Sequence, residues 1–194
     1  MKTSISGLLV VDLQPAYARP SAGSTISSHL MRNTLAHISA LAEDTPVTVL
    51  YVCEELSGDT LLDVHDFWLE HGADEALLQR LNWVEKPYGF LRGWMDNGID
   101  EDDICAVLQE LRKRSCWDSR DLDDDTLERL SPDGFALDSP LFRDDAVDKL
   151  LADALRTGGA WETCGGGQGE CLQEVELVLQ SGGVPFERLH HLTY

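Results

Sequence analysis

Basic residues are scarce in this sequence. Fifteen Lys and Arg stand against 35 Asp and Glu, a formal net charge of −20 over 194 residues. A protein that tracks nucleic-acid phosphates needs a basic face to displace counterions. A protein that docks on an anionic membrane surface needs one too. Neither partner is therefore expected. Long apolar runs are also missing. No stretch reaches the roughly 18 apolar residues of a membrane span. Met1 to Asp12 holds no basic segment followed by an extended apolar one, so no secretory leader is expected there. Paired cysteines are the third absence. The five cysteines, at 53, 105, 116, 164 and 171, are odd in number and form no CxxC pair. That argues against a disulfide framework or a structural zinc site, and for reduced thiols in a cytoplasmic setting.

What is present suffices for one domain over 1–194. Hydrophobic residues make up 43% of the chain, and a chain of this length buries a sizeable core without staples. Leu8 to Val11 is a continuous apolar run, as in a strand buried on both faces. A helix follows, with Ser24 or Thr25 placed to cap it and Ile26, Leu30, Leu35, Ile38 and Leu41 on its apolar side. Val47 to Cys53 is a second strand, which completes a βαβ unit with parallel pairing. Residues 60–81 read as helix broken at Gly72, Trp83-Val84 as a short strand, and 100–114 as a helix with acids first and bases last. An amphipathic helix is expected over 144–156. Beyond it come a strand at 160–164, a glycine turn, a helix at 170–179 and a closing strand over 185–192. Strands alternating with helices give an α/β chain with three layers, α/β/α, and a mainly parallel sheet.

In such sheets ligands bind beyond the carboxyl ends of the strands. Asp12, Lys86 and Cys171 all fall at or just after such ends. A thiol must lose its proton to attack a carbonyl, so it needs a base and a positive neighbour. Asp12 suits the base, and Lys86 suits the cation that holds the anion. Cys171 falls in the first turn of a helix, where the dipole favours a thiolate. The glycines before it leave backbone amides to aim at a developing oxyanion. Taken singly, each residue has a plainer reading: a turn-forming Asp, a solvated Lys, a core Cys. Their shared placement carries the argument.

The same residues resemble a known family. Val11-Asp12-Leu13-Gln14-Pro15-Ala16-Tyr17 is similar to the opening VDxQxxF/Y of the isochorismatase-like cysteine hydrolases, which include nicotinamidases. Lys86-Pro87-Tyr88-Gly89-Phe90 resembles the segment bearing their lysine, and Gly165 to Leu172 their glycine turn and nucleophile helix. The resemblance covers about the first 55 residues, the surroundings of Lys86 and the last 50. It implies a sheet of about six strands and a single domain with an acidic insertion at about 96–141. It implies an Asp12–Lys86–Cys171 triad that hydrolyses a C–N bond of a small amide-like substrate through a thioester, without a cofactor. Backbone amides around Gly166, Gly167 and Cys171 would bind the oxyanion, and Gln14, Tyr17, Tyr88 and Phe90 would line the pocket. Family members often form homo-oligomers. The chain departs from the pattern at Gln168 and Leu172, where Thr and Val are usual, and at Glu170, whose carboxylate opposes a thiolate if it points inward.

Other residues carry weaker signals. Asp63, His65 and His71 have metal-ligand residue types. The stretch reads as helix, however, and the histidines sit nearly two turns apart, so surface residues are the better reading. Strand alternation sends His190 and His191 to opposite faces. The glycine loop lacks the ending of a P-loop. Residues 96–148 hold 17 acids and 6 bases, net −11. A solvated face explains that excess, and a surface for a basic protein partner is the alternative. A non-catalytic protein of the same fold, or an acidic decoy, is therefore the rival to the hydrolase.

Overall fold

The computed structural model describes residues 5–19, 26–52, 54–86, 91–96, 98–113, 125, 154, 157–167 and 169–194. Five strands lie among them: β1 (Gly7–Val11), β2 (Val47–Val52), β3 (Asn82–Lys86), β4 (Trp161–Gly165) and β5 (Phe186–Thr193). They form one sheet in the order β3-β2-β1-β4-β5, and every pairing is parallel. A sixth strand, implied by the resemblance alone, is not found among the described residues. The eight helices delimited there are α1 (Pro15–Ala18), α2 (Ser28–Ala40), α3 (Glu54–Ser57), α4 (Leu61–Glu70), α5 (Glu75–Arg80), α6 (Arg92–Asp96), α7 (Glu101–Lys113) and α8 (Cys171–Ser181).

Burial explains the layers. Every residue of β1 and β2 is buried, as parallel strands covered on both faces must be. Side chains alternate between the faces. Leu9 and Val11 pack with Ile104 and Leu108 of α7 and with Leu172, Val175 and Val178 of α8. Leu8 and Val10 pack on the other face with Met31 and Ile38 of α2 and Val64 and Trp68 of α4. Two separate apolar clusters therefore flank the sheet, which is the expected α/β/α sandwich.

Local chemistry sets the element ends. Ser27, rather than Ser24 or Thr25, caps α2: its hydroxyl accepts the Leu30 N–H at 3.0 Å. Thr60 and Asp63 form a capping box on α4. The Asp74 carboxylate caps α5, which accounts for the break expected near Gly72. In β5 the alternation fails. Thr163 pairs with Arg188 but Gly165 pairs with Thr193, so the strand bulges between them. His190 and His191 are consequently both exposed instead of facing opposite ways. Of the acidic insertion expected at about 96–141, residues 101–113 form α7, while 114–141 apart from 125, and almost all of the helix expected over 144–156, lie outside the described residues. No helix among the described residues is long and apolar enough to cross a membrane.

Candidate active site at the carboxyl end of the sheet

The chain runs from β1 outward through β2 to β3, then returns to the other side of β1 for β4 and β5. The strand order therefore reverses between β1 and β4, and a crevice opens at their carboxyl ends. Asp12 leaves β1 at this point, and Gly165 to Gly167 leave β4. Lys86 closes β3, two strands away.

Asp12 has φ of 55°, the left-handed region that non-glycine residues seldom occupy. Its N–H donates to the Leu50 carbonyl at 2.8 Å, which ties it to β2. Its own carbonyl accepts the Tyr194 hydroxyl at 3.1 Å and the Gln14 N–H at 3.0 Å. Its side chain meets Lys86, with Nζ 3.0 Å from Oδ2, and both residues are 1% exposed. Neither carboxylate oxygen and no proton of the ammonium finds a well-directed hydrogen bond among the described residues. Burial alone would lower the Lys86 pKa, but the charges of Asp12, Cys171 and Glu174 outweigh it and raise it.

The glycine turn brings β4 against β1. Gly165 has φ of +82°, and a Cβ there would fall onto the Val11 carbonyl oxygen and within 2.9 Å of the Val11 nitrogen. The Gly166 N–H donates to that carbonyl at 2.7 Å. It is committed to β1, so it does not serve as the expected oxyanion donor. The Cys171 N–H, at the first residue of a helix, has no intrahelical acceptor. The Gly167 carbonyl accepts the Glu170 N–H at 3.0 Å, and the Glu170 side chain takes up the space a Cβ at Gly167 would need. Glu170 is 54% exposed and faces Arg92 at 3.4 Å.

Cys171 is half-buried at the start of α8. Its thiol pKa is pushed up, first by burial and then by the Asp12 carboxylate, with Lys86 opposing and Glu174 adding to the rise. Burial and the neighbouring carboxylates thus favour the protonated thiol. The acid that acts on it from its own helix is Glu174, which the sequence reading passed over. Glu174 is fully buried one turn beyond Cys171. Its Oε1 accepts the Leu91 N–H at 2.9 Å, and its Oε2 is buried without a partner among the described residues. Burial lifts its pKa to about 7, against the pull of Lys86 and of the Leu91 N–H. The signal was available: an acid between Leu172 and Val175, at the i+3 spacing that shares a helix face with Cys171.

The expected pocket residues divide. Gln14 is fully buried and holds the fold together: its Oε1 accepts the Val52 N–H at 2.7 Å and its Nε2 donates to Asp59 at 3.1 Å. That corrects its assignment to the substrate pocket. Tyr17 is half-buried in α1. Its hydroxyl belongs to the surroundings that, after burial and the charges of Asp12 and Cys171, raise the Tyr194 pKa. Tyr88 and Phe90 lie outside the described residues. A cleft of about 370 Å³ opens nearby, lined by Arg19, Asp59, Asp63 and Phe67 among others, and none of the triad reaches it. Asp63 is engaged by Thr60, the His65 ring packs 4.5 Å from that of Trp83, and His71 Nδ1 lies 2.7 Å from the Phe67 carbonyl. Among the described residues no group of three or more His, Cys, Asp or Glu could hold a metal ion.

Set against protein-family models, curated proteins and solved structures, the chain matches none.

Proposed function

We propose that this chain is a cysteine hydrolase that cleaves the C–N bond of a small amide-like molecule. One observation carries the reading. Asp12, Lys86 and Cys171 come from three separate places in the sequence to one electrostatic cluster at the switch point of a parallel sheet. The resemblance of their flanking residues to the isochorismatase-like hydrolases supports it. The raised thiol defines the order of events. The Cys171 proton passes to Asp12 as the sulfur attacks the substrate carbonyl carbon. Lys86 holds the negative charge that this leaves in the site. The C–N bond breaks, the leaving nitrogen takes the proton from Asp12, and a thioester remains on Cys171. Water then gives a proton to Asp12 and attacks the thioester. The acid departs and the thiol regains the proton.

The test is release of ammonia or amine from a panel of small primary amides and ureido compounds at neutral pH, with intact-mass detection of the acyl adduct. Cys171→Ala should abolish the adduct and lower the rate by about 10³-fold or more. Turnover that survives this substitution would overturn the reading. A chain that forms no adduct with any amide would do so too, and would move attention to the acidic segment and a basic partner.

A further inference from the structure

The buried Lys86 serves more than one carboxyl. Asp12 reaches it from the end of β1, at 3.0 Å. Glu174 reaches the same cluster from α8, the helix that carries the nucleophile, and acts on Lys86 and on Cys171 by charge. The described groups that act on Glu174 are Lys86 from β3, Asp12 beyond β1, Cys171 on its own helix, and the backbone N–H groups of Leu91 and Arg92 at the start of α6. With both carboxylates charged and the thiol neutral, two negative charges face one positive charge, and all three of those charged side chains are buried. One carboxyl oxygen of Glu174 is anchored on Leu91, and the other accepts no hydrogen bond among the described residues.

We propose that Glu174 is a positioning residue which sets the charge of the Asp12–Lys86–Cys171 cluster, by gaining or losing one proton on its unanchored oxygen while the anchored one keeps α8 tied to α6. The inference rests on the hydrolase reading only in taking that cluster as the working site. Protonated, Glu174 leaves Lys86 balanced by Asp12 alone, and the thiol loses its proton more readily. Ionised, it adds a second negative charge and holds the proton on sulfur. The site is thus most reactive when this acid is neutral, although the sulfur itself favours higher pH.

The experiment is the pH dependence of iodoacetamide alkylation at Cys171, read peptide by peptide from pH 5 to 10, on the full chain without substrate. In the natural sequence the rate should lag through the neutral range, because Glu174 ionises as the pH rises. Glu174→Gln keeps an oxygen for the Leu91 N–H but cannot ionise. Its profile should lose the neutral lag, and its alkylation at pH 8 should rise about fivefold or more. Superimposed profiles would overturn the proposal and leave Glu174 a structural acid. If Glu174→Gln does not fold, the natural chain decides. A curve with an inflection near neutrality supports the proposal, and the smooth curve of a single thiol overturns it. No turnover is measured, so a chain that hydrolyses no amide yet shows this behaviour would lose the hydrolase reading and keep this one.

Discussion

Single atoms decide much at the residue scale. Glu174 is an acid whose pKa in the folded chain is raised from 4.5 to about 7. Between those values the folded chain holds a proton that the unfolded chain has released. The stability this proton contributes is present below pH 4.5 and is lost as the pH rises to about 7, by at most about 3 kcal/mol. Urea unfolding of the natural chain should therefore weaken across that window relative to Glu174→Gln. Parallel pH profiles for the two would show that no such linkage exists. Gly165 gives a second expectation. A methyl group there meets the backbone of Val11, so Gly165→Ala should cost at least about 3 kcal/mol. Gly58 also has positive φ but open space around it, so Gly58→Ala should cost only about 1 kcal/mol. Equal unfolding midpoints for the two variants would remove the role given to the close approach. The strand-end positions of Asp12 and Lys86 were legible in the sequence, Asp12 closing an apolar run and Lys86 a short mixed one. Glu174 was not, since an acid inside a helix pattern reads first as solvated surface. Gln14 misled for the opposite reason: a motif position near a site can serve the backbone instead of the ligand.

Elements join through buried polar groups as well as through apolar faces. The Asp59 carboxylate is 1% exposed and accepts from the Ala16 N–H at 2.6 Å, Gln14 Nε2 at 3.1 Å and Arg19 at 3.1 Å. It ties the start of α1 to the turn before α4, and through Gln14 to the end of β2. Asp59→Ala strands two buried donors, so a loss of about 2–4 kcal/mol is expected in chemical denaturation. Arg19→Ala should change the midpoint by less than about 1 kcal/mol, because its guanidinium is mostly in water. If both cost the same, the clamp is electrostatic and not a matter of buried donors. The elements themselves were largely legible. Continuous apolar runs marked β1 and β2, apolar spacing marked α2, and acids first with bases last marked α7. The bulge in β5 was not, because its register is set by pairing with β4 and not by its own alternation.

The whole molecule carries −20, and self-repulsion of that size opposes a compact state. Raising sodium chloride from about 10 to 300 mM, which shortens the screening length severalfold, should raise the thermal midpoint by a few degrees. A midpoint that falls would mean that specific ion pairs outweigh the net repulsion. The sheet order has a consequence for synthesis. β1 is made first, yet it lies at the centre, and its neighbour β4 begins only at Trp161. At ribosomal rates of 5–20 residues per second, one edge of the most apolar strand waits on the order of ten seconds for its partner. Throughout that time Leu9 and Val11 lack the cover of α8. An apolar strand edge is thus exposed during synthesis, and the cluster around Cys171 is complete only when α8 emerges.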